Sequence, residues 1–214
     1  MNEIHLLQTL PSVFADRIDL HSDVWRQTLT LSRGRSYLIE AASGTGKSSL
    51  CSFLYGYRHD YLGTLRFDQT DLRTLRTPQW VELRRSHLSI LFQELRLFGE
   101  LSAWENVWVK NQLTGYKSEA DMLHLFELLQ IADRMHERAD RLSYGQQQRV
   151  AFIRALCQPF DFILLDEPVS HLDDPNAALM ARLLADEVSR QGAGIIATSI
   201  GKRLPYAYDL TLKL

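Results

Sequence analysis

The chain predicts an α/β fold with a mainly parallel sheet, an antiparallel β region ahead of it, and a helical subdomain inserted part-way along. Three observations predict it. Strand-like apolar runs alternate with helix-like runs along most of the 214 residues, which is the pattern of parallel crossovers. A small-residue turn, Ala41-Ala42-Ser43-Gly44-Thr45-Gly46, lies between the apolar run Tyr37-Leu38-Ile39 and a helix opened by Lys47, Ser48 and Ser49. From residue 94 to 145 the apolar spacing becomes that of helices.

Taken in order, residues 1–32 read as short strands, with Gln27-Thr28-Leu29-Thr30-Leu31 alternating at period two. Arg33-Gly34-Arg35 turns the chain into the strand that feeds the small-residue turn. A helix is expected from Lys47 to Tyr57, then a strand around Gly63–Phe67. Thr77-Pro78 marks a helix start, since proline suits the first turn, and that helix should end near Ser86. Ser89–Phe92 is a buried strand ending at Gln93. In the inserted stretch Leu101, Trp104, Val107 and Trp108 recur at helical spacing, then Met122, Leu125, Phe126 and Leu129, with Ser118 and Asp121 as a capping box. Trp104 and Trp108, one turn apart, read either as packing or as an aromatic patch facing a partner. A helix over Gln146–Gln158, the apolar strand Phe162–Leu165, a helix over Asn176–Arg190 and strands at Ile195–Thr198 and Leu210–Leu212 complete the chain.

Composition narrows the function. Hydrophobic residues make up 45% and charged residues 23%, ordinary for a globular domain. A net charge of −2 argues against broad, charge-driven nucleic-acid binding. Cys51 and Cys157 fall in apolar helical patterns and read as buried, reduced thiols. The seven histidines are scattered singles without metal-site spacing. No run approaches the ~18 apolar residues that span a bilayer. Met1-Asn2-Glu3-Ile4-His5 lacks the layout of a secretion signal, so a cytoplasmic protein is expected.

The small-residue turn is built to hold a chain of phosphates. Its backbone N–H groups can point inward, and the helix that follows presents the positive end of its dipole. Lys47 reaches the outer phosphates and the Ser48 hydroxyl suits Mg²⁺. The usual pattern begins with glycine where this chain has Ala41, and a left-handed Ala41 would carry strain of roughly 1–2 kcal/mol. Phe14 precedes the turn, where its ring either stacks on an adenine base or belongs to the core. At the end of the apolar strand, Asp166 can hold Mg²⁺ through water and Glu167 can polarise the water that attacks a γ-phosphate.

With these motifs in view, the chain resembles the nucleotide-binding subunits of ABC transporters along nearly its full length. The Walker A loop is 41–48, the Q-loop glutamine Gln93, the signature Leu142-Ser143-Tyr144-Gly145-Gln146, Walker B Phe162–Glu167 and the D-loop Ser170-His171-Leu172-Asp173. Gln93–Phe98 together with Trp104-Glu105-Asn106-Val107 look most like the subgroup that serves lipoprotein-release and macrolide-type exporters.

The resemblance implies a single ABC ATPase domain over 1–214, its core 1–93 and 146–214 and its helical subdomain about 94–145, working with ATP and Mg²⁺. It further implies that Gln93 senses Mg²⁺ and the attacking water. Ser143, the Gly145 N–H and Gln146 would close over the ATP of a second, head-to-tail subunit, most simply an identical one. Integral membrane permease subunits are the implied partners, with the chain peripheral on the inner face of the membrane. Tyr144 replaces the first signature glycine, and Ser199 stands where the family has a histidine that contacts the γ-phosphate. His171 is the histidine placed to compensate. Ser199 motivates a second reading, an ATP-gated dimerising module with little or no hydrolysis. A third, an ABC ATPase acting on DNA or ribosomes, is weakened by the acidic balance and by the lack of a long coiled-coil insertion.

Overall fold

A computed structural model describes residues 1–17, 19–42 and 44–214. Among the described residues the strands form two sheets. The first is antiparallel and is built from β1 (Glu3–Pro11), β2 (Thr28–Ser32), β4 (Tyr61–Phe67) and β5 (Thr70–Asp71), in the order β2-β1-β4-β5. The second contains β3 (Ser36–Glu40), β6 (Leu88–Leu91), β7 (Phe162–Asp166), β8 (Gly194–Ser199) and β9 (Leu210–Lys213), ordered β6-β7-β8-β3-β9. Every pairing in it is parallel.

Burial on both faces explains why these strands are apolar without alternation. Leu38, Ile163, Leu165, Ile195 and Ala197 face one hydrophobic cluster. Tyr37, Ile39, Phe162, Leu164 and Ile196 face the other. The order sets β3 and β7 on either side of β8, so the turn after β3 and the carboxylates ending β7 open at the same sheet edge. That is where open parallel sheets bind ligands.

The helices are α1 (Lys47–Leu54), α2 (Thr77–Ser86), α3 (Ala103–Gln112), α4 (Glu119–Leu128), α5 (Tyr144–Leu156) and α6 (Asp174–Gln191). α1 ends three residues before the expected Tyr57. Gly56 leaves the helix at φ +72°, with the Trp80 ring where a side chain would stand. Arg84 then takes the carbonyls of Tyr55 and Gly56 at 3.0 Å each. α3 and α4 are closed by capping boxes, Ser102 with Glu105 and Ser118 with Asp121. α5 begins at Tyr144 because Ser143 caps it, ahead of the expected Gln146.

α3, α4 and α5 share the cluster of Val107, Met122, Phe126 and Phe152. Trp104 packs on Phe126 at 5.9 Å while Trp108 is 45% exposed, so the tryptophan pair divides between packing and surface. A buried ion pair, Lys117 to Glu187 at 2.7 Å, ties the start of α4 to α6. No helix among the described residues is long and apolar enough to cross a membrane.

Candidate functional site

The turn between β3 and α1 takes its left-handed positions at Gly44 and Gly46, φ +78° and +99°. Ala41 does not adopt a positive φ, so the strain expected there is absent. Ser43 lies outside the described residues. The underside of the turn is held by two aromatic rings. Trp25, 1% exposed, donates its indole N–H to the Thr45 carbonyl at 2.9 Å. The edges of Phe14 and Trp25 stand 3.1 and 3.2 Å from where a Gly46 side chain would be, which bars any larger residue. Phe14 is 6% exposed and the Arg17 guanidinium covers its ring at 4.4 Å. The geometry therefore presents Phe14 as packing, and a base could stack there only by displacing Arg17. Beside it the exposed Val13 lines the cleft.

Lys47 opens α1 and is buried at 5% exposure. Its ammonium donates to the Ala42 carbonyl at 3.3 Å and lies 3.7 Å from Glu167 Oε1. Thr45 Oγ1 donates to the same carbonyl at 2.8 Å. The β7 end is braced by Thr198 of β8, whose hydroxyl donates to Asp166 Oδ1 at 2.7 Å and accepts from the Glu167 N–H at 3.2 Å. Glu167 adopts φ +51°, a conformation that costs a non-glycine residue of order 1–3 kcal/mol and recurs where function overrides local preference. Ser48 Oγ donates to Gln93 Oε1 at 3.4 Å. The turn, Lys47, Ser48, Ser49, Gln93 and Glu167 thus border one cleft of about 370 Å³.

Two features of this cleft escape sequence reading. Ser199 is 1% exposed and turned away, its hydroxyl donating to the Lys202 carbonyl at 2.9 Å. The next residue, Ile200, is 44% exposed and lines the cleft instead. Strand alternation at β8 carries the only signal for this, because Thr198 faces Asp166 and Ser199 must face the other way. Trp25 carries no local signal at all, since its partner Thr45 lies in a separate turn 20 residues on.

The loop after Gln93 is strained and gripped by α5. Leu95 and Arg96 adopt φ +60° and +50°. The Arg154 guanidinium donates to both of their carbonyls, at 2.7 Å for Arg96. Burial lowers the Arg154 pKa to about 10.

The start of α5 lies outside this cleft. Ser143 Oγ accepts from the Gln146 N–H at 3.4 Å, and Gln146 Oε1 accepts from the Ser143 N–H at 2.9 Å. As an acceptor there, Ser143 keeps its hydroxyl hydrogen for an outside group. His171 packs its ring edge-on to Tyr144 at 4.4 Å and does not line the cleft. Burial raises the pKa of Tyr144, and the charges of Glu94 and Glu167 add to it. Cys51 and Cys157 are buried and free, and burial raises both pKa values, that of Cys157 to about 12.

Residues 25–170 match the family described as ABC transporter. The chain is 35% identical over 182 residues to an uncharacterized ABC transporter ATP-binding protein of Mycobacterium tuberculosis, covering 84% of this chain and 55% of that protein. It is 36% identical over 171 residues to the macrolide export ATP-binding/permease protein MacB of Bartonella henselae, covering 78% of this chain and 26% of MacB. It therefore spans about half the length of the first of these relatives and a quarter of the second. Among solved structures, the dimeric ATP-binding cassette MJ0796 bound to ADP and Pi superposes with a TM-score of 0.75 at 22% identity, over 92% of this chain and 87% of that one. A bacterial Atm1-family ABC exporter with ATP bound gives 0.79 at 21% identity, over 100% of this chain and 37% of that one. At these identities the likeness establishes the fold.

Proposed function

The chain belongs to the ABC transporter family as an ATP-binding domain, and from that premise we propose that it hydrolyses ATP in a head-to-tail dimer to drive transport through separate membrane subunits. The observation that carries this reading is the 3.7 Å approach of Lys47 Nζ to Glu167 Oε1 in an open cleft that Ser48 and Gln93 also border. In it, the N–H groups of the turn and of the first turn of α1 cradle the phosphates. Lys47 balances the outer charge, and Ala41, Ala42 and Ser49 complete the nucleotide's surroundings. Glu167 takes a proton from the attacking water, and its strained backbone keeps that carboxylate over the cleft.

Hydroxyl, amide and carboxylate oxygens suit Mg²⁺, so Ser48, Gln93 and Asp166 are the residues that would hold it. Bound there, the ion neutralises phosphate charge. From a second copy, Ser143 and the Gly145 N–H, with Gln146 beside them at the start of α5, meet the γ-phosphate. Division of the 1–214 domain into a core and a helical subdomain near 94–145 gives Gln93 its place at the junction.

Beside that junction is a groove of about 440 Å³ lined by Tyr57, Phe92, Arg96, Phe98, Lys110 and Arg154. We assign it to a permease loop, in keeping with the joint ATP-binding/permease name of the MacB relative. The chain would then lie at the inner face of the membrane.

Mg-ATP binding and phosphate release test this reading. Turnover abolished by Glu167→Gln and binding abolished by Lys47→Ala support it; binding indifferent to Lys47→Ala sinks it. The turn of the buried Ser199 away from the cleft and the apolar Ile200 lining it favour the second reading, an ATP-gated dimer with little hydrolysis. Negligible turnover in both wild type and Glu167→Gln, with binding intact, selects it.

A further inference from the structure

Tyr144 sits at the first position of α5, between Ser143 and Gly145, where the resemblance puts a glycine without a side chain. Here the side chain reaches two other loops. Its hydroxyl donates to the Gln93 carbonyl at 2.8 Å. Its ring stacks edge-on against His171 at 4.4 Å. Gln93 in turn accepts from Ser48 at the phosphate cleft.

The loop beyond Gln93 is not held by local preference, since Leu95 and Arg96 are both left-handed. α5 holds it, by Arg154 on the Leu95 and Arg96 carbonyls at one end and by Tyr144 on the Gln93 carbonyl at the other.

We propose that Tyr144 is a positioning residue for hydrolysis: its hydroxyl fixes the backbone of Gln93, and so the amide beside Ser48, to the helix start that serves a neighbouring copy's nucleotide. The inference rests on the ATPase reading above. Tyr144 lies between the residues that meet the neighbour's γ-phosphate, so a shift of the α5 start on closure moves its hydroxyl too. The Gln93 carbonyl follows, and each nucleotide site registers the occupancy of the other.

The test uses the full chain with Tyr144→Phe, which keeps the ring on His171 and removes the hydroxyl, and Tyr144→Gly, which removes both contacts. Amide hydrogen exchange of the nucleotide-free chain reads the bridge without turnover. Tyr144→Phe should speed exchange at residues 93–96 about three- to tenfold, the opening expected on loss of one hydrogen bond, and leave α1 and β7 unchanged. With Mg-ATP, kcat should fall about three- to tenfold in Tyr144→Phe while KM stays within about twofold, because positioning and not ground-state binding is lost. Tyr144→Gly should fall at least as far.

Unchanged exchange at 93–96 in Tyr144→Phe overturns the proposal, as does a wild-type kcat. A wild-type chain without turnover overturns the ATPase reading and with it the positioning role of Tyr144 in hydrolysis. Exchange at 93–96 then still decides whether the bridge exists.

Discussion

Introducing histidine at residue 199 or at residue 200 separates the sequence reading of the cleft from the structural one. By motif order, the γ-phosphate contact belongs at Ser199. In the structure Ser199 is 1% exposed, and its backbone carbonyl accepts from Ala41 N–H at 3.1 Å. A ring there overpacks a filled space at about 1–3 kcal/mol, and loses the hydroxyl bond to Lys202 at about 1 kcal/mol. For a chain of this length the sum lowers Tm by roughly 4–15 °C. Ser199→His should therefore melt early and gain no turnover.

Ile200 is 44% exposed in the cleft with Lys47 and Glu167, so an imidazole at 200 displaces no packing. A charge-assisted hydrogen bond made to the γ-phosphate in the transition state contributes about 1.5–3 kcal/mol, roughly ten- to 150-fold in kcat. Phosphate release at saturating Mg-ATP, beside thermal melts, reads both variants. A Ser199→His chain that melts like wild type and hydrolyses faster, with Ile200→His inert, would refute the reasoning.

Other outcomes follow from single contacts. Trp25→Phe keeps an aromatic ring, though a smaller one, but strips the Thr45 carbonyl of its donor, and should weaken Mg-ATP binding about two- to tenfold by calorimetry, as one net hydrogen bond of about 0.5–1.5 kcal/mol implies. Glu187→Ala leaves Lys117 buried and unpaired, and a urea titration should show a loss of about 3–5 kcal/mol. In the wild type, burial pushes the Glu187 carboxyl up, but hydrogen bonds from Lys117, Arg190 and Tyr116 hold it below its ordinary value. The stability it contributes is complete above the ordinary carboxylate range and is lost as pH falls through that lowered value. Urea midpoints measured from pH 7 down to pH 3 should fall less steeply in Glu187→Ala than in the wild type.

What was legible in the chain was what local chemistry decides. β7 reads as a buried strand because apolar residues fill both its faces, and α2 is bounded as expected by Thr77-Pro78 and Ser86. The Ser118–Asp121 box marks α4 from four residues alone. The left-handed burden assigned to Ala41 fell on Gly44 and Gly46, which carry it without a Cβ. What stayed hidden depends on partners far along the chain. α1 stops early because Arg84 and Trp80 occupy its end. Trp25 meets Thr45 from a separate loop 20 residues earlier, and the grip of Arg154 on the loop after Gln93 has no local mark at residue 154. The exchange of Ser199 for Ile200 turns on strand parity at β8, one residue in register.

The central claim is that one copy's Lys47 and another copy's Ser143 share a single ATP, and mixing disabled chains tests it most directly. In a Glu167→Gln background, chains carrying Lys47→Ala and chains carrying Ser143→Arg should each fail to retain Mg-ATP as dimers. Mixed in equal amounts, they should recover about a quarter of the Glu167→Gln parent's sites, because each mixed dimer keeps one intact site. A chain with both substitutions, mixed with the Glu167→Gln parent, should gain nothing beyond the parent's own dimers. Retention of ATP by Ser143→Arg chains alone, or no recovery in the first mixture, would contradict the account.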